Sequence, residues 1–316
     1  MPNRSSSKKI NTGVQGLDDM GFGGFYESST TLISGASGTG KTLLGMQFVL
    51  EGAKNGEKSL MLAFEESPEQ LLRNAESFGW PWRKYVNSGT IKLISVYPED
   101  QSPEAYIKII KDMVEREKPK RFVLDSLSGL ERIYMPNKFR EFVVGLNAYL
   151  KNYGVTTYLT NTTKSLLEIK SITETALSTL TDNIIILKYL ELGGEMRRII
   201  NLLKVRGSDH DKGLREFVIG KKGTEIGESF KGVKGLLAAR AEVIRTPTEV
   251  MKKLYDLTDE DIQDYLDKID RGELDDEVLM EKAPFETDAA TKIKVIKKGK
   301  VRRSKLYFLR ERIGKK

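Results

Sequence analysis

Eight consecutive residues restrict this chain more than any other part of it. Gly35-Ala36-Ser37-Gly38-Thr39-Gly40-Lys41-Thr42 satisfies G-x-x-x-x-G-K-[ST] at every fixed position. The apolar run Thr30–Ile33 leads in and the helix-compatible run Leu43–Leu50 leads out, giving the strand–loop–helix setting the motif requires. Gly35, Gly38 and Gly40 free the backbone to turn N–H groups inward at a helix start, which makes a nest for a triphosphate. Lys41 is placed to reach the β- and γ-phosphates and Thr42 to ligate Mg²⁺, with Leu43 completing the nucleotide contacts. The expected cofactors are therefore ATP and Mg²⁺.

Composition removes several alternatives. With no cysteine there are no disulfides, zinc–thiolate sites or thiol nucleophiles, and the single histidine, His210, rules out a site built from several histidines. No apolar run approaches the roughly 20 residues of a membrane span and the N-terminus lacks a signal-peptide core, so a cytoplasmic protein with no membrane association is expected. The formal charge of +7 is uneven: residues 292–316 carry twelve Lys/Arg against one acid, or +11, leaving 7 − 11 = −4 for the rest. Net attraction for an anionic partner lies at the C-terminus.

Taken in order, residues 1–11 read as a flexible leader, and a glycine-rich approach from Thr12 to Phe25 brings the chain to the first core strand. Strands are expected at Lys58–Phe64, Ile91–Val96, Lys120–Ser126 and Val155–Thr162, with helices at Pro68–Phe78, Pro103–Glu117 and Phe139–Asn152 between them. Then Asn183–Leu192, Met196–Val205 and Leu214–Ile219 read as strands joined by short turns. The fold class is α/β: βα units followed by a meander argue for a RecA-like P-loop core, a mostly parallel sheet with added antiparallel strands.

In such a sheet ligands lie beyond the carboxyl ends of the strands. Glu65-Glu66 therefore falls on the P-loop rim. One of the pair is suited to orient or deprotonate a nucleophile, or both belong to a solvated turn before a helix. Asp125, ending an apolar strand, takes the Walker B place, opposite Thr42 in the magnesium shell. Thr160, Asn161 and Thr162 either sense phosphate from the same rim or merely form a turn.

With these pieces placed, the chain resembles the KaiC family of the RecA superfamily from about Thr12 to Ile244. The likeness rests on TGVQGLDDMGFGG, GASGTGKTLL, FEESPEQLLRNAESFGW, VLDSLSGL, SITETALSTLTDNIIIL and KVRGSDHDKGLREFVI. In several of these it is most similar to the autokinase-bearing repeat of clock-type members, and one repeat is expected. The resemblance implies an ATPase with Ser/Thr autokinase activity, assembled as a homohexamer with ATP–Mg²⁺ at subunit interfaces. It implies catalytic roles for Glu65 and Glu66, with Lys41, and places Glu66 with Thr42 and Asp125 at the metal. Lys204 and Arg206, with Ser208 and His210, match the segment that reaches a neighbour's nucleotide. Ser178 and Thr179 match the phospho-acceptors, and Thr173 a nearby hydroxyl. Kai-type regulatory proteins follow as partners, although Ala238–Glu242 departs from the usual residues of the regulatory loop at Gly235–Ile244.

The organisation expected is an ATPase domain over 12–245, acidic amphipathic helices over 246–290 and a basic tail over 291–316. In that tail Lys/Arg alternate with Tyr307 and Phe308, the mixture that contacts phosphates and exposed bases. It also resembles the end of the bacterial large-subunit ribosomal protein numbered nineteen, around KGKVRRSKLYFLRERIGKK. The alternative function is thus a nucleotide-gated binding module whose tail, 292–316, engages RNA or the ribosome.

Overall fold

The computed structural model describes residues 8–97, 101–163, 177–192 and 195–230, with backbone elements at 233–234 and 242–243; all fall in the first of two compact units, Met1–Ile244. Thr173, the remainder of the 235–244 loop, the acidic helices and the basic tail lie outside the described residues.

In chain order the elements are β1 (Lys9–Ile10), α1 (Gln15–Met20), β2 (Phe25–Tyr26), β3 (Thr30–Gly35), α2 (Lys41–Lys54), β4 (Ser59–Ala63), α3 (Pro68–Ser77), α4 (Trp82–Asn87) and β5 (Ile91–Ser95). Next come α5 (Pro103–Glu117), β6 (Arg121–Asp125), α6 (Leu127–Ile133), α7 (Pro136–Asn152), β7 (Thr156–Thr162) and α8 (Leu177–Leu180). The strands β8 (Asn183–Leu192), β9 (Glu195–Val205), β10 (Arg215–Gly220), β11 (Gly223–Ser229), β12 (Val233–Lys234) and β13 (Glu242–Val243) close the sequence.

Nine strands form one sheet in the order β11-β10-β9-β8-β3-β7-β6-β4-β5. The six from β8 to β5 pair in parallel, while β9, β10 and β11 extend the β8 edge antiparallel. The α/β core with added antiparallel strands is therefore observed. Both faces are covered, as a parallel sheet demands. Ile33, Met61, Val123 and Tyr158 pack in one apolar layer with α2 and α3, and Leu32, Leu60, Leu62, Phe122, Leu124 and Leu159 pack in the other with α5, α6 and α7. Alternate residues of each strand thus bury on opposite sides.

Several elements depart from the sequence expectation. Lys9 and Ile10 pair with Tyr26 and Phe25, and the Lys9 ammonium donates to the Gly21 carbonyl at 2.6 Å, so these two residues of the stretch expected to be a flexible leader are part of the fold. The glycine-rich approach contains α1, whose Leu17 and Met20 are buried. α7 starts earlier than expected, at Pro136, because proline suits a first helical position where no N–H partner is needed. The short α4 and α6 and the polar strand β11 carry too little periodicity to be read in advance. Among the described residues no helix is long and apolar enough to cross a membrane.

Candidate nucleotide site

The P-loop joins the carboxyl end of β3, second-innermost in the parallel run, to the start of α2. Gly38 and Gly40 have φ of +75° and +105°, the left-handed region where a side chain is strained. Space forbids one as well: a Cβ on Gly40 would stand 2.8 Å from the Phe217 ring, and one on Gly38 2.8 Å from the Tyr189 hydroxyl. The antiparallel extension thus forms the outer wall of the loop. Arg198 on β9 adds to that wall, lying over the Tyr189 ring and donating from Nε to the Gly38 carbonyl at 3.2 Å. Sequence reasoning missed Arg198, because only the β8–β9 register, in which Arg198 faces Tyr189, brings it to the loop.

Inside the loop Lys41 is buried, its Nζ donating to the carbonyls of Gly35 at 2.9 Å and Ala36 at 2.8 Å. Burial pushes its pKa down, and the nearby Asp125 and Glu65 carboxylates pull it back up. Thr39 donates to the Ala36 carbonyl at 2.8 Å, while Ser37 is exposed and Leu43 half-buried.

Across the cleft Asp125 ends β6. Thr42 donates to its Oδ2 at 2.8 Å and the Thr160 hydroxyl donates to its Oδ1, so two hydroxyls orient one carboxylate. Burial nevertheless raises the Asp125 pKa above the ordinary carboxylate value. Asn161 and Thr162 are tied elsewhere: Ser128 donates to Asn161 Oδ1 at 2.9 Å and accepts from the Thr162 N–H at 2.6 Å.

The carboxylate pair sits on the same rim, because β4 runs beside β6 with Ala63 opposite Asp125. Glu65 is exposed and takes contacts from the Arg132 guanidinium at 3.4 Å and the Ser126 hydroxyl at 3.5 Å. Glu66 is half-buried, accepts from Asn74 Nδ2 at 3.0 Å, and has a pKa raised by burial and then by Asp125. The helix start that follows is fixed by a capping box, in which Gln70 N–H donates to Ser67 Oγ and Ser67 N–H to Gln70 Oε1.

Among the described residues no three His, Cys, Asp or Glu side chains converge as a metal cage. Thr42 with Asp125 instead offers one hydroxyl and one carboxylate, a hard-oxygen pair suited to Mg²⁺ that keeps water and phosphate as its other ligands.

The remaining candidates lie at the other end of the sheet. In register Gly35 stands beside Leu187 and Leu32 beside Ile184, and Ile184 in turn faces Lys204. Lys204 is thus about three strand residues, or ~10 Å, below the P-loop level, and Arg206 lies lower still. Both turn to α8: Lys204 Nζ donates to the carbonyls of Ser178 at 2.9 Å and Thr181 at 2.7 Å, and Arg206 donates to the Thr179 carbonyl at 3.4 Å. Burial and the neighbouring Arg206 cation lower the Lys204 pKa. Ser208 accepts from Lys9 at 2.9 Å, and both ring nitrogens of His210 are buried without a hydrogen-bond partner. Acceptor residues and the cations expected to clamp phosphate therefore stand together, apart from their own P-loop.

Comparison with known proteins identifies the family. The family profile described as "ATPase: KaiC" matches residues 10–231, and that of "Ribosomal protein L19" matches residues 273–316. The "Circadian clock oscillator protein KaiC" of Thermostichus vulcanus is 44% identical over 247 residues, covering 78% of this chain and 46% of that protein. The "Circadian clock protein KaiC3" of Synechocystis sp. is 43% identical over 259 residues, 82% of this chain and 51% of its own length. The Rippkaea orientalis oscillator protein KaiC is 45% identical over 235 residues, 74% and 45% of the respective chains. The chain spans about half the length of the curated relatives it matches.

Proposed function

The chain belongs to the KaiC family of ATPases, and from that premise we propose that it binds ATP–Mg²⁺ on the P-loop rim, hydrolyses it, and phosphorylates a second copy of itself at Ser178 or Thr179. The observation that carries the reading is the separation of the two rims. Lys41, Thr42, Asp125, Glu65 and Glu66 gather at the carboxyl ends of the strands, whereas Ser178, Thr179, Lys204 and Arg206 gather at the amino end of β8. A hydroxyl on the second rim meets a γ-phosphate only if another chain presents it.

Backbone N–H groups of residues 35–42 and the Lys41 ammonium hold the phosphates. Thr42 and Asp125, with Glu66 nearby, would hold Mg²⁺, which would supply charge neutralisation for the phosphates. Glu65, exposed at the rim, accepts the proton of the attacking water or of the neighbour's Ser178 or Thr179 hydroxyl. The new O–P bond forms as the bond to ADP breaks, and the neighbour's Lys204 and Arg206 offset the charge developing on the phosphoryl oxygens.

Because acids gather on one rim and cations on the other, copies pair head to tail, the heterologous contact that closes into a ring of six in this reading. Mixing two impaired variants tests it. Lys41→Ala and Arg206→Gln chains, combined one to one, regain about a quarter of the parent's ATP hydrolysis and phosphate incorporation, since half the P-loops are intact and half of their neighbours carry Arg206. No recovery above the two separate variants refutes action between copies. The same reading requires mass added at Ser178 or Thr179 on incubation with ATP and Mg²⁺, absent in Glu65→Gln.

The match at residues 273–316 supports a second role in which the basic tail contacts RNA. Binding of the full chain to structured RNA then weakens steeply with salt and is lost on removing residues 292–316, with ATP hydrolysis retained.

A further inference from the structure

Around Asp182 the structure assembles more positive charge than its contacts consume. The Asp182 carboxylate takes Lys151 at 2.6 Å and Arg206 at 3.3 Å, and accepts the Thr30 N–H at 2.9 Å. Lys204 meets no acid in this group; its ammonium is spent on the Ser178 and Thr181 carbonyls. Arg206 spans both, reaching the Thr179 carbonyl as well as Asp182. Among the described residues three cations thus face one carboxylate, 3 − 1 = 2 charges in excess, and two of them touch the backbone of the adjacent hydroxyl residues Ser178 and Thr179. Lys204 and Arg206 both donate to carbonyls at the end of α8, so helix capping accounts for Lys204 and for part of Arg206, and leaves Lys151 and the rest of the Arg206 guanidinium on the single Asp182 carboxylate. Burial lowers the Lys204 pKa, with Arg206 and Lys151 adding to it and Asp182 opposing them, so the three cations and the carboxylate lie within one another's field.

We propose that Lys151, Lys204 and Arg206, arranged around Asp182, are a built receptor within the chain for the phosphoryl group of its own phosphorylated Ser178 or Thr179. This rests on the autophosphorylation reading for how the phosphate arrives, and adds what holds it afterwards. A phosphoryl dianion of about −2 charge matches the excess and makes charge-assisted hydrogen bonds to the ammonium and guanidinium donors. In doing so it competes with Asp182 for Arg206 and Lys151. Asp182 also holds the first residue of β3, the strand that ends in the P-loop, so a phosphate on α8 is placed to alter the footing of that strand.

The test installs phosphoserine at position 178 of the full chain during synthesis, so that the chain's own chemistry is not needed, and follows its ³¹P resonance against pH. A free phosphoserine loses its second proton at pH about 6. In the parent chain the value falls by at least about one unit, a tenfold weaker hold on the proton. Lys151→Met, at a side chain 34% exposed, and Arg206→Gln each bring it back toward 6. Asp182→Asn moves it the other way, lower than in the parent, by removing the competing acid. A purely structural cluster moves none of these. A phosphoserine titrating at about 6 in the parent, or a lowered value indifferent to all three substitutions, overturns the receptor. Failure of autophosphorylation shows separately, as no added mass on the unmodified chain after ATP, and leaves the titration result intact.

Discussion

The two rims of the sheet are opposites in charge and in construction. At the carboxyl rim Glu65, Glu66 and Asp125 crowd one lysine, and burial raises the pKa of Glu66 and Asp125. At the amino rim Lys151, Lys204 and Arg206 crowd Asp182, and burial with its like-charged neighbours lowers the pKa of Lys204. One rim is short of cations and the other of anions, and burial disfavours the charged form on both. Construction differs too. The first rim is made of short runs that each follow a parallel strand, so sheet order alone aligns them. The second is gathered from the end of α7, the start of β8 and the end of β9, and exists only once the hairpin β8–β9 has formed.

The largest break in this comparison comes at the first rim. Lys41→Ala removes the buried P-loop ammonium proposed to hold the phosphates, and ATP hydrolysis falls roughly 10²–10³-fold, as phosphate release reports. Arg206→Gln, at the second rim, shares its task with Lys204 and lowers the rate by about tenfold, with ATP affinity of the isolated chain unchanged. Equal losses in ATP affinity for both variants would erase the distinction between the rims.

Asp125→Asn sharpens it through stability. The folded chain holds the Asp125 proton more tightly than the unfolded chain, whose reference value is 3.8. Stability from this group is therefore full below that value and is lost as pH rises through the higher folded value. Without nucleotide, parent and variant melt alike in acid; at neutral pH the variant melts higher by about 1 kcal/mol, roughly 2–4 °C. Adding Mg²⁺–ATP reverses the order, since only the parent keeps the metal's carboxylate. The same linkage weakens the parent's apparent Mg²⁺ affinity as pH falls, beginning above the range of an ordinary carboxylate, because Glu66 and Asp125 take up protons early.

These contrasts also mark what was legible beforehand. The P-loop could be read because its chemistry is contiguous, and Asp125 and Glu65-Glu66 because strand ends in a parallel sheet share a rim. That Thr160, rather than Asn161 or Thr162, bonds Asp125 needed the β6–β7 register, a relation between residues some thirty-five positions apart. Lys151, Asp182 and Arg198 gave no signal at all: a lysine at a helix end and an arginine on an antiparallel strand read as solvent-facing until tertiary pairing sets their neighbours. Short helices such as α1 and α6 were hidden by glycine or by lengths too small for a periodic pattern.

The smallest effect separates local from tertiary order on the first rim. Ser67 follows Glu66 immediately and caps α3 through the reciprocal bonds with Gln70. Ser67→Ala leaves the Gln70 N–H to water on an exposed turn and costs about 0.5–1 kcal/mol, a melting shift of roughly 1–3 °C. Glu66 is held independently, its carboxylate by Asn74 and its carbonyl by the Ser95 hydroxyl at 2.8 Å. Hydrolysis at saturating ATP should therefore change less than about twofold, a barrier difference of about 0.4 kcal/mol. A fall of tenfold or more would mean that the cap, and not the side chains around Glu66, positions the acidic pair, and the first rim would then depend on local helix order as the second depends on its hairpin.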